Sequence, residues 1–111
     1  MLRIIFLVVL CLHGMIHLLG FAKAFGLALL PQLTQPISRP RGLLWLAAGA
    51  LVLATAALLP LAPRWWWVVG AVAVVTSQAV IVTSWSDARF GTLANIVLLV
   101  GVVWGCAHRG P

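Results

Sequence analysis

The sequence predicts an all-α, polytopic membrane protein: a left-handed bundle of four transmembrane helices with both termini on the same side of the bilayer. Three observations carry this expectation. Hydrophobic residues make up 64% of the 111 positions and charged residues 7%, too few polar groups to cover a domain of this size in water. The apolar residues gather into four runs, each close to the ~20 residues that cross the hydrocarbon as a helix. All six tryptophans fall near the ends of those runs, at the level where indole rings meet headgroups. A single domain spanning 1–111 follows.

The first run, 4–22, lies between Arg3 and Lys23. With Ala22-Lys23-Ala24 behind it, it imitates a secretory signal. Histidines inside the apolar stretch argue against cleavage, and "LVVLC" lacks the small residue that a lipoprotein site wants before its cysteine. A retained first helix is expected. The connection 23–41 holds Pro31, Pro36 and Pro40 but is too apolar for a solvated linker. Leu27, Leu29, Leu30, Leu33 and Ile37 are expected in the membrane interface, with Gln32 and Gln35 toward headgroups. The second run, 42–59, ends at Pro60 and Pro63, which cannot continue a helix. The third covers 65–84. "WSDARFGT" then turns the chain, with Asp87 or Thr92 as candidate N-caps, into the fourth run, 88–107.

Counting four crossings, Trp45 and Trp85 fall on the side of the first loop, and Trp65, Trp66, Trp67 and Trp104 on the side of the termini; all are expected as interface anchors. The net charge of +6 comes from seven basic residues and the lone acid Asp87. The bases stand singly at the ends of apolar runs, as helix anchors do, and no aromatic-interleaved basic patch is present. Nucleic-acid binding is excluded. Arg3, Arg64 and Arg109 on one side nearly balance Lys23, Arg39, Arg41 and Arg89 on the other, so the positive-inside rule assigns no orientation. Cys11 and Cys106 belong to no CxxC pair and are expected as small buried apolar side chains.

Helices in lipid pack through small residues. Gly42, Gly49 and Ala56 on the second helix, Gly70, Ser77 and Ser84 on the third, and Ala94 and Gly101 on the fourth recur at sevenfold spacing, the repeat of a left-handed bundle with shallow crossings.

His13 and His17 stand about 40° apart around the first helix, one turn apart, with Gly20 on the same face. A small residue on that stripe points the imidazoles into the bundle. Ser77 and Gln78 reach similar depth on the third helix, with Ser84, Asp87 and Asn95 nearer the first-loop side. These seven residues form the expected polar pocket. Ionisable groups inside a membrane are costly, so they mark a functional site by default; a neutral histidine hydrogen-bonding a neighbouring helix is the plainer role, and both readings stay open. No metal site is predicted: the HxxxH pair lacks the intervening Glu of H-E-x-x-H and a third strong ligand at its depth. No Ser-His-Asp, Cys-His or paired-carboxylate arrangement is present, so no catalytic residue is assigned.

"HGMIHLLGFAKAFGLALLPQLTQPISRPRGLLWLAAGAL" and "SQAVIVTSWSDARFGTLANIVLL" carry His13-Gly14-xx-His17, Gln32-xx-Gln35-Pro36 and Trp85-x-Asp87-Ala88-x-Phe90-Gly91-Thr92 with Asn95. Over nearly its whole length the chain resembles the membrane region of a family of uncharacterised bacterial four-helix membrane proteins. The resemblance implies four helices and a bacterial origin, and no reaction. In that family the region often precedes a soluble domain, whereas this chain ends at Pro111.

The expected function is that of a non-enzymatic, multi-pass protein of a bacterial inner membrane: an accessory or structural subunit, or partner-binding module, of a larger membrane assembly or a homodimer, with a His-lined intramembrane pocket. The alternative is a homodimeric, proton-sensitive transporter or channel for an ion or small molecule. The third is a pigment or redox subunit holding a tetrapyrrole (haem or chlorophyll) through His13 or His17; no cofactor is otherwise predicted.

Overall fold

The structure is a computed structural model that describes residues 1–27 and 36–108. Leu29, Leu30, Gln32, Leu33, Gln35 and Arg109, for which interfacial or anchoring roles are expected, lie outside the described residues. Every element among the described residues is helical: α1 (Leu2–Ala24), α2 (Arg39–Leu61), α3 (Trp66–Thr83), the single turn α4 (Trp85–Ala88) and α5 (Gly91–Ala107). Three of these, α1, α2 and α3, are long and apolar enough to cross a membrane. The fourth, α5, is apolar over 17 residues, about 26 Å of helix.

The helix ends depart from expectation for local reasons. Helix α2 starts three residues early because Ser38, in extended backbone, accepts the Arg41 amide at 3.4 Å, and Pro40 sits in the first turn, where its missing N–H has no partner to lose. Pro60 does not end the helix. It lies inside the last turn, and the Ala62 amide still reaches the Leu58 carbonyl at 2.7 Å. Neither Asp87 nor Thr92 caps α5, whose N-cap is Phe90 without a side-chain bond. Asp87 lies within α4, and the Ser84 carbonyl receives the Asp87 and Ala88 amides at 3.1 and 2.8 Å.

The helices run alternately up and down. Near the start of α1, Phe6 meets Trp66 at the start of α3 edge-on at 5.8 Å and fills the space beside Gly101 near the end of α5. At the other end Gly20 lies against Trp45, near the start of α2. Successive long helices pack extensively, α1 on α2, α2 on α3 and α3 on α5, while α1 meets α5 only thinly. The core of one half holds Leu10, Val52, Trp66, Ala73, Leu98 and Val102; a smaller cluster of Trp45, Ala48 and Val80 holds the other.

The small residues expected on the second and third helices, Gly42, Gly49, Ala56, Gly70, Ser77 and Ser84, are all buried. Backbone meets backbone at Gly14 and Gly49: a Cβ on Gly49 would stand 3.0 Å from the Gly14 carbonyl oxygen. That packing is backbone against backbone, as small-residue membrane interfaces require.

Expectations for two tryptophans and two cysteines are corrected. Trp45 and Trp66 are 3% and 5% exposed, so they are packing residues inside the bundle rather than interface anchors; each lies over a glycine, Gly20 or Gly105, that leaves room for the ring. Trp65, Trp85 and Trp104 do lie on the outer surface, and Trp67, half-buried, donates its indole N–H to the Arg64 carbonyl at 2.9 Å. Cys11 and Cys106 are exposed on the outside. An apolar outer face accepts a thiol as readily as a core does.

Candidate functional site

Six polar residues from three helices converge inside the bundle. Helix α1 contributes His13 and His17, α3 contributes Ser77 and Gln78, and α5 contributes Thr92 and Asn95. His13, His17, Ser77 and Asn95 are each at most 5% exposed. The two imidazoles meet edge-to-face with centroids 4.5 Å apart.

Donor and acceptor rules give this cluster one consistent neutral proton arrangement. His17 Nδ1 lies 2.7 Å from the His13 carbonyl oxygen, which only accepts, so Nδ1 of His17 carries the proton. His17 Nε2 is then a lone pair, and the Ser77 hydroxyl 2.7 Å away donates to it. With its hydrogen so used, Ser77 Oγ accepts from Asn95 Nδ2 at 3.0 Å. Asn95 Oδ1 therefore accepts from His13 Nε2–H at 2.8 Å, with Ser77 Oγ a longer neighbour of the same nitrogen at 3.3 Å. Asn95 Nδ2 also donates to Gln78 Oε1 at 3.0 Å, and Gln78 Nε2 to Thr92 Oγ1 at 3.1 Å. Three helices are joined through one serine hydroxyl.

Two nitrogens beside the cluster stand outside it. With its proton on Nε2, His13 keeps a lone pair on Nδ1, which takes part in none of the hydrogen bonds among the described residues. The indole Nε1–H of Trp45, whose ring stands 5.4 Å from that of His17, is buried without an acceptor. A buried donor left unmatched costs about 1–3 kcal/mol.

Both residues line a cavity of about 450 Å³ between α1 and the α4–α5 junction, within the ~300–1,000 Å³ range of pockets that take small organic molecules. Val9, Leu12, Ile16 and Leu19 form its α1 wall; Ala88, Phe90, Gly91 and Ala94 form the other; Gly20 and Ile81 complete it with the polar residues His13, His17, Trp45 and Asp87. Leu12, Ile16 and Phe90 are more than half exposed, so the cavity reaches the outer surface of the bundle. It lies where α1 and α5 touch least.

Of the seven residues expected to share a pocket, His13, His17, Ser77, Gln78 and Asn95 form the network. Asp87 lines the cavity beside it. Ser84 is buried at the α3–α4 junction and joins none of the network's hydrogen bonds; its backbone carbonyl holds the turn. Sequence reasoning missed Thr92 and the Trp45–Phe90–Gly91 wall. Thr92, three residues before Asn95, shares its helix face, the one signal that pointed to it.

Comparison with known proteins adds no relative: no family model, curated protein or solved structure matches this chain.

Proposed function

We propose that this chain is a multi-pass protein of a bacterial inner membrane, without catalytic machinery of its own, that serves as a binding or accessory module through the cleft between α1 and the α4–α5 junction. The supporting observation is the cleft itself: an apolar-walled cavity of about 450 Å³, open on the side that acyl chains would face, with His13, His17 and Trp45 on its inner wall. Interaction by the cleft requires a discrete occupant, either an apolar ligand or a segment of a partner. Incorporation of the photocrosslinker p-benzoylphenylalanine at Phe90, in native membranes, tests this. One discrete adduct is expected there, against a bulk phospholipid mixture from Val100 on the outward face of α5; the same mixture at both positions rejects the proposal.

The transporter reading draws support from one feature. His13 Nδ1 is the position where the network takes up a proton without losing a hydrogen bond, and Asp87 lines the same cavity. Proton-coupled flux into liposomes that disappears in His13→Gln would favour it over the binding-module reading. A tetrapyrrole finds less support, because both nitrogens of His17 are already hydrogen-bonded and His13 has only one left.

A further inference from the structure

The walls of the cleft say what chemistry its occupant carries. The α1 wall runs from Val9 to Leu19, about 15 Å of helix, roughly half the hydrocarbon thickness of a bilayer. Such a length suits one apolar chain lying along α1 within a leaflet. His13 stands midway along α1, so any polar group that meets it does so deep in the membrane, where bringing a charge is costly. The head of the occupant must therefore be uncharged. His13 Nδ1 offers a lone pair, so that head must carry a hydrogen to donate. The Trp45 ring lines the same cavity, while its indole N–H is itself buried away from it.

A hydroxyl meets both demands, while an ester or ketone lacks the hydrogen and a phosphate carries the charge. Building on the cleft as a binding site, we propose that its occupant is an uncharged membrane lipid with a hydroxyl head, which donates to Nδ1 of His13 and places its chain between α1 and α5. The inner network fits this role. By engaging His13 Nε2–H with Asn95 Oδ1 at 2.8 Å, it holds this cleft-lining ring in the tautomer that leaves Nδ1 as a lone pair.

The experiment uses the full chain in nanodiscs and 1-hexadecanol bearing a mid-chain diazirine. Saturable labelling that maps to α1 and α5 is expected. Unlabelled 1-hexadecanol should compete at least tenfold better than methyl palmitate, which accepts but cannot donate, and better than hexadecane, which does neither. Ala94→Phe, which fills the cleft without touching a hydrogen bond, should abolish labelling at unchanged thermal stability. Equal competition by the three compounds, or labelling that survives Ala94→Phe, overturns the hydroxyl assignment. If a discrete adduct still forms at Phe90, the cleft remains a binding site for another occupant; if neither labelling nor a discrete adduct is found, the binding-module reading falls with it.

Discussion

Ser77 Oγ lies 2.7 Å from Nε2 of His17, and the direction of that bond is forced from elsewhere, because Nδ1 of His17 already donates to the His13 carbonyl. The His13 carbonyl thus fixes the tautomer of His17, and the Ser77 hydroxyl passes that choice on to the orientation of Asn95 and the tautomer of His13. Removing that hydroxyl leaves the His17 lone pair and one Asn95 N–H unmatched in a dry interior. Ser77→Ala is expected to destabilise the bundle by about 1–2 kcal/mol, read as a shift in denaturant or thermal unfolding in detergent. Thr76→Ala is the control. Its hydroxyl bonds only the Val72 carbonyl of its own helix, and its loss should cost under about 0.5 kcal/mol.

The His13–Asn95 bond joins α1 to α5 across their thin contact. A double-mutant cycle with His13→Ala and Asn95→Ala should show coupling of about 0.5–2 kcal/mol, at or above the mean for hydrogen bonds between membrane helices. Coupling near zero would mean that the two side chains do not meet in the membrane.

Gly20 and Trp45 predict a rescue. A Cβ on Gly20 would come within 2.3 Å of the Trp45 ring, close to its attachment point, where the ring has little freedom to give. Gly20→Ala should cost about 1–3 kcal/mol through overpacking. Gly20→Ala combined with Trp45→Leu should be milder than the sum of the two single changes, and strict additivity would show that the ring does not lie there.

Gly49→Val should separate α1 from α2. The new side chain would meet the Gly14 carbonyl and the Leu18 and His17 side chains within 3.2 Å, and a backbone atom cannot rotate away. Loss of folded protein, judged by protease resistance in membranes, is the expected result.

Cys11 and Cys106 make the opposite prediction. Both face outward, so Cys11→Ala with Cys106→Ala should leave stability within about 0.5 kcal/mol of the parent. A larger loss would place them in an interface with another chain.

Much of the fold was legible because apolar runs of about 20 residues, bounded by charges and prolines, have the length and composition of spanning helices. The His13–His17–Gly20 stripe marked the inward face of α1 by spacing alone, and Ser77, Gln78 and Asn95 were recognisable as its partners because polar side chains at that depth have few other outlets. The cleft was not legible. It arises from how far α5 stands from α1, a distance no residue pattern encodes, and from the break at Arg89 and Phe90 that splits the last run into α4 and α5. Trp45 and Trp66 misled for a related reason: proximity to a run's end indicates depth but not which way a ring points, and the deciding partners, Gly20 and Gly105, lie on other helices.

The bond between His13 and Asn95 spans 82 positions of chain, which imposes an order on synthesis. When the first helix leaves the ribosome, every partner its imidazoles require from other helices is still unmade, and the last of them arrives only with the final segment. A chain cut short before α5 therefore keeps the bond within α1 from His17 Nδ1 to the His13 carbonyl, but has no acceptor for His13 Nε2–H and no Asn95 donor for Ser77.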